Sequence, residues 1–135
     1  GRVADYICMD GTVPLSQLTR VLKETGEIVA RYGLRVANVF HAGDGNMHPL
    51  ILYNVNDPVE AEKAEAAGMD ILKLCVEAGG CLTGEHGVGI EKRDLMYHQY
   101  TKVEIDQQKR VRAAFDPASR LNSSKVFPLD ERSAA

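Results

Sequence analysis

Two short stretches hold most of the side chains in this chain that could do chemistry. "FHAGDGNMHP", residues 40–49, contains His41 and His48, and "TGEHGVG", residues 83–89, contains Glu85 and His86. Asp-Gly between two apolar runs is a strong hairpin signal, because a type I′ turn needs positive φ at both central residues. With Asp44 and Gly45 at that turn, Gly43 faces Asn46, Ala42 faces Met47 and His41 faces His48. Directly opposed strand residues have Cβ atoms about 4.5–5.5 Å apart. Metal–imidazole bonds are about 2.0–2.1 Å, so two rings placed this way can share one cation. Two arbitrary histidines are more often neighbours across a turn with no ligand. Here Gly43 and Gly45 strip side chains from the hairpin tip and let something large and flat approach. Asp44 and Asn46 are ordinary turn residues, so spacing alone gives neither a catalytic role.

Glu85 and His86 are adjacent, and neighbours on an extended segment point to opposite sides. A division of labour follows. Glu85 completes a two-histidine, one-carboxylate metal set that keeps an open position for substrate. His86 stands beside that substrate as a general base. The plainer alternative is a tight turn with exposed polar side chains. The glycines do not make a phosphate loop, since neither GxxxxGK[ST] nor a GxGxxG within a βαβ unit is present. Lys92 is in reach of an anionic substrate but reads first as a solvated helix residue, and His98 as a structural or surface residue.

These groups need elements to hold them. "ADYICM" reads as a short strand entering a turn at "DGTVP". Leu18, Val21, Leu22, Ile28 and Val29 recur at helical spacing, with Ser16 as cap, Gly33 at C′ and Gly26 as a weak interior point. "LRVANVFHAG" and "NMHPLILYNV" are β-rich. A second helix starts at the Asp57 cap with Pro58 at N1 and ends at Gly79, with Ala64, Met69, Ile71, Leu72 and Val76 on its apolar side. "CLTGEHGVG" reads as a strand running into a turn, and "IEKRDLMYHQY" as a helix. Another amphipathic helix places Val103, Ile105, Val111 and Phe115 inward. This order predicts an α+β fold, a mostly antiparallel sheet with helices packed on one face.

The bulk properties narrow the partners. The chain has 135 residues, 44% hydrophobic and 26% charged, with net charge −3, so no basic face recommends nucleic acid. No apolar run reaches the roughly 20 residues needed to span a bilayer. Cys8, Cys75 and Cys81 are odd in number without CxxC spacing, which reads as reduced thiols in a cytoplasmic protein. The opening Gly1, with no helix-start signal before Ser16, reads as a piece of a longer polypeptide.

"FHAGDGNMHPLIL", "CLTGEHGVGIEK" and "FDPASRLNSSKVFP", in this order, resemble the C-terminal domain of FAD-linked oxidases of the vanillyl-alcohol-oxidase type. Within that group the likeness is to flavoproteins acting on 2-hydroxy acids, the FAD subunit of glycolate oxidase and D-lactate dehydrogenases among them. The resemblance implies a ferredoxin-like α+β domain over residues 1–128, with 129–135 as a flexible tail. It implies that His41, His48 and Glu85 bind a divalent metal, Zn²⁺ first, that His86 is the catalytic base, and that Gly43, Asp44, Gly45 and Asn46 lie at the flavin. FAD itself would be held mainly by a preceding domain of the same polypeptide. Iron–sulfur or other electron-transfer subunits, peripheral attachment at the inner membrane, and self-association to cover faces the missing parts would bury are further expectations. Leu50 stands where hydroxyglutarate-type relatives carry Asn, which favours glycolate or D-lactate. A non-catalytic metal-binding or assembly module is the alternative reading.

Overall fold

The computed structural model describes residues 5–129. They divide into two compact units, one through His86 and one from Gly87. The fold is α+β, and its four-stranded sheet is antiparallel throughout.

β4 (Asn46–Tyr53) is the central strand of the first unit. β3 (Arg35–His41) pairs with one of its edges. β1 (Asp5–Cys8) and β2 (Gly11–Thr12) share the other edge in a single register, Cys8 opposite Leu50 and Gly11 opposite Met47. The ladder breaks between them because Pro49 has no N–H to give, although the Met9 N–H still reaches the Pro49 carbonyl at 3.1 Å. "DGT" is thus a continuation of the edge strand and not the turn expected from its Asp-Gly. The break leaves Asp10 beside His48.

Side chains alternate across β4. Met47, Pro49 and Ile51 are buried on the face that packs on α2 (Pro58–Glu77), while α1 (Leu18–Arg31) lies against β3 and α2. The fit is close: a Cβ on Gly11 would touch Cys75 and Leu72 of α2, and Gly68 of α2 makes room for Met9. Asn46, His48, Leu50 and Leu52 occupy the other face.

Most helix boundaries follow the expected signals. Asp57 accepts hydrogen bonds from the N–H groups of Val59 and Glu60, and Gly79 sits at φ +85° beyond the end of α2. Gly33, at φ +74°, closes α1 through its N–H to Ala30 O. Ser16 does not cap: a 3₁₀ turn over Leu15–Gln17 precedes α1 and no side chain caps it. Tyr32 donates its hydroxyl to Asp70 at 2.8 Å, which ties α1 to α2 and, with partial burial, raises the phenol pKa.

In the second unit the expected helix over 90–100 contracts to a 3₁₀ turn, Arg93–Leu95, and α3 (Met96–Gln99). α4 (Lys102–Phe115) opens with a capping box between Thr101 and Glu104. Of its four expected inward residues only Ile105 is buried, while Val103, Val111 and Phe115 are exposed, Phe115 at 83%. Two side chains organise the stretch after α4. Asp116 accepts the N–H groups of Leu121 and Arg120, which hold its carboxyl below the usual range, and Arg112 donates to the carbonyls of Leu121, Asn122 and Lys125. Of the expected tail, 129–135, only Leu129 falls within the described residues. No helix among those residues is long and apolar enough to cross a membrane.

Ile51 is fully buried at the centre of the sheet. Ile51→Ala should lower the unfolding free energy by about 2–5 kcal/mol. Asp57→Ala, which removes only the α2 cap, should cost about 1 kcal/mol. Denaturant midpoints of the two variants should fall in that order, and equal losses would contradict this account of the core.

Candidate active site

The β3–β4 hairpin does not close by a two-residue type I′ turn. A 3₁₀ turn over Ala42–Asp44 is followed by Gly45 in the left-handed region at φ +67°. Any Cβ on Gly45 would also strike the Val13 carbonyl. His41 therefore opposes Asn46, and His48 opposes Val39. The expected pairing is off by two residues. A slip of one would have sent the two histidines to opposite faces, whereas a slip of two keeps them on the same face as diagonal neighbours. Their rings lie 5.4 Å apart between centroids, nearly perpendicular at 87°.

Glu85 closes the group. Its Oε1 lies 3.1 Å from His48 Nε2 and 3.5 Å from His41 Nε2. One donor atom from each of His41, His48 and Glu85 lies within 4.8 Å of the others. The His48 side chain is 9% exposed, whereas those of His41 and Glu85 are 58% and 54% exposed, so the set has a fixed floor and an open mouth. The His86 ring stands 5.0 Å from the His48 ring, tilted by 33°. The turn thus brings both Glu85 and His86 to His48, which their adjacency in an extended segment would forbid.

Asp10 produces that turn, and the sequence reading missed it. It is fully buried. Its Oδ2 accepts from Thr83 Oγ1 at 2.6 Å and from the N–H groups of Gly84, His86 and Glu85 at 2.7, 3.0 and 3.1 Å. Burial by itself would raise the carboxyl pKa. The Thr83 hydroxyl and the N–H groups of His86, Glu85 and Gly84 together outweigh it and hold the group well below the usual carboxylate range. Asp10 Oδ1 is 4.0 Å from His48 Nδ1, and Cys8 Sγ is 3.8 Å from the same nitrogen. An available signal was the spacing of Cys8 and Asp10, which share a face if the edge strand is read through to Thr12.

The likeness of this chain to known proteins covers nearly all of it. Residues 2–126 match the family "FAD linked oxidases, C-terminal domain". The chain belongs to that family. It is 52% identical over 135 residues to glycolate oxidase subunit GlcD of Escherichia coli, covering 99% of this chain and 27% of that protein. The Bacillus subtilis subunit of the same name is 39% identical over 126 residues, 93% of this chain and 27% of that protein. The mitochondrial D-lactate dehydrogenase [cytochrome] of Kluyveromyces lactis is 36% identical over 121 residues, 90% of this chain and 20% of that protein. The chain thus spans about a quarter of the length of these relatives. Its fold matches 4-ethylphenol oxidase from Gulosibacter chungangensis, solved as an isoeugenol complex, with TM-score 0.72 and 19% identity over 97% of this chain and 26% of that one.

Within this FAD linked oxidase domain the other expected site residues take different positions. Gly43 and Asp44 are exposed at the hairpin tip, and a Cβ on Gly43 would meet nothing within 4 Å. Gly45 and Asn46 are buried, and internal packing accounts for both: Gly45 by the turn and Val13, Asn46 by its place beneath Gly84. The Asn46 Oδ1 atom is buried without a hydrogen bond from a described residue. Leu50 shares the face of His48. Lys92 is buried, not solvated, and lies in a turn ahead of the 3₁₀ segment; His98 is exposed.

The depressed Asp10 pKa fixes a sign. Its folded value lies below the unfolded one of about 3.9, so the ionised form is favoured by folding. The associated stability is complete above the ordinary carboxylate range and is lost as pH falls through that range toward the folded value. Asp10→Asn should lower the unfolding free energy at neutral pH by about 2 kcal/mol or more, the scale of a charged hydrogen bond left unmade. It should also flatten the loss of stability at acid pH. A pH series of urea midpoints for both proteins checks this. Gly84→Ala, whose Cβ would run into the Asn46 side chain, should displace residues 83–86, read as faster amide exchange there with little change in β4.

Proposed function

We propose that the chain is the substrate-binding C-terminal part of an FAD-dependent oxidoreductase that converts a short 2-hydroxy acid, glycolate or D-lactate, to the 2-oxo acid. The observation that carries this reading is the convergence of His41, His48 and Glu85, with His86 beside them, on the sheet face turned away from α1 and α2. The 52% identity to a glycolate oxidase subunit supports the same substrate class.

FAD, held mainly by a preceding domain of the same polypeptide, supplies the acceptor for the hydride from C2 of the substrate. The donor set of two imidazole nitrogens and one carboxylate oxygen fits a divalent cation, Zn²⁺ first. Such an ion, held by His41, His48 and Glu85, would supply Lewis-acid assistance to deprotonation of the substrate hydroxyl. His86 takes the proton from the 2-hydroxyl. His48, buried between Cys8, Asp10 and Glu85, is the rigid member of the set, and Glu85 and His41 close from the open side. Asp10 aims Glu85 and His86 by holding their backbone. Leu50, an apolar neighbour on the His48 face, offers nothing to a second carboxylate, which favours a monocarboxylate substrate. Gly43 and Asp44, open at the hairpin tip, are where the flat cofactor would approach. Iron–sulfur or other partner subunits, at the cytoplasmic side of the inner membrane, would supply the onward electron acceptor.

Elemental analysis of the dialysed chain should find near-stoichiometric zinc or manganese, lost in the His41→Ala/His48→Ala variant. In the full-length flavoprotein, His86→Ala should lower kcat by about 10²–10⁴-fold with glycolate or D-lactate while metal content stays unchanged. No metal in the wild-type protein, or turnover indifferent to His86, would remove this reading.

A further inference from the structure

His48 has two edges, and only one of them faces the His41–Glu85 group. Its Nδ1 side faces Cys8, whose Sγ is 3.8 Å away. Cys8 opposes Leu50 across the β1–β4 pair, which places its thiol on the same sheet face as His48. The His86 ring completes a second cluster, one donor atom from each of Cys8, His48 and His86 lying within 4.8 Å of the others. Cys81, by contrast, is exposed and Cys75 buried, and neither joins such a cluster among the described residues.

We propose that Cys8, His48 and His86 form a second cation site, selective for a thiophilic d¹⁰ ion such as Cd²⁺ or Cu⁺. Zinc–sulfur and zinc–nitrogen bonds of about 2.3 and 2.0–2.1 Å at a tetrahedral angle set the two ligand atoms about 3.6 Å apart. The Cys8–His48 pair already stands at 3.8 Å. Both residues are on paired strands, so the half of the site needing the most precise placement is preformed. His86 is exposed and can close the remaining gap by side-chain rotation alone. Binding converts the Cys8 thiol to thiolate and releases its proton to solvent. The Asp10 carboxylate, 4.0 Å from His48 Nδ1, adds negative charge just behind the ligands.

Ligand softness separates the two sites. One thiolate with two imidazoles selects soft ions, whereas two imidazoles with a carboxylate also accept Mn²⁺. The sites share His48, through Nδ1 in one case and Nε2 in the other. Resting on the function proposed above, the second site has a consequence for it: a soft ion held there occupies the His86 lone pair and removes the base, so it acts as an inhibitor distinct from the metal that supports the reaction.

Titration of the purified chain with Cd²⁺, followed by the ultraviolet thiolate-to-metal charge-transfer band, tests the site directly. The band should saturate at one ion per chain, vanish in Cys8→Ser with affinity weakened by more than about 100-fold, and persist in His41→Ala and Cys81→Ser. Mn²⁺ binding, read by electron paramagnetic resonance, should show the reverse pattern, lost in His41→Ala and kept in Cys8→Ser. Circular dichroism melts verify that each variant is folded. A Cd²⁺ band that survives Cys8→Ser, or saturable Cd²⁺ binding with no thiolate band, would overturn the proposal. Absence of Mn²⁺ binding in the wild-type chain would count against the proposed function only, leaving the Cd²⁺ result to stand or fall by itself.

Discussion

The Asp10 carboxylate, inaccessible to water and ionised, accepts one hydroxyl and three backbone N–H groups from residues 83–86, and the geometry of the site depends on that junction. A buried charge is tolerated only where enough donors face it. Here the donors belong to the segment that carries Glu85 and His86, so satisfying the charge and aiming the two side chains are one event. The segment needs the anchor because it is no strand: among the described residues the one ladder contact near it is the bridge between Cys81, just ahead of it, and Thr12. Asp10 in turn is placed by the edge strand, whose register runs from β1 through β2 while the ladder bonds lapse at Pro49.

The second constraint is parity. His41 and His48 lie on different strands joined by a turn of unexpected type, yet they meet, since only an odd slip in register would have separated them. The face they share is the one α1 and α2 leave free, which makes the cluster accessible while His48 stays buried. Burial and exposure are thus divided within one group. The member on the central strand is held, and those at the hairpin end and on the 82–86 segment are open to solvent. That division is what a site needs if it must keep its shape and still admit a ligand.

His48 also links two sets of donors that differ in softness, Glu85 and His41 on its Nε2 side, Cys8 with Asp10 behind it on its Nδ1 side. Few side chains can serve two coordination environments, and imidazole does so because its two nitrogens point in well-separated directions.

Much of this was legible from residue order. The caps at Asp57, Gly33 and Gly79, the β3–β4 hairpin, the α+β class and the four chemistry-bearing residues follow from local rules, because turn φ values, cap hydrogen bonds and strand alternation act within a few residues. Other features depended on contacts distant in sequence. The role of Asp10 needed partners more than 70 positions away, so its Asp-Gly read as a turn although it is part of an edge strand. The exposure of Val103, Val111 and Phe115, and the burial of Lys92, likewise escaped a periodicity that shows which residues share a helix face but not whether anything covers it. The sequence by itself determined which side chains were available and which elements would carry them. The tertiary structure decided which of them meet, because a buried carboxylate takes its donors from wherever the chain brings them.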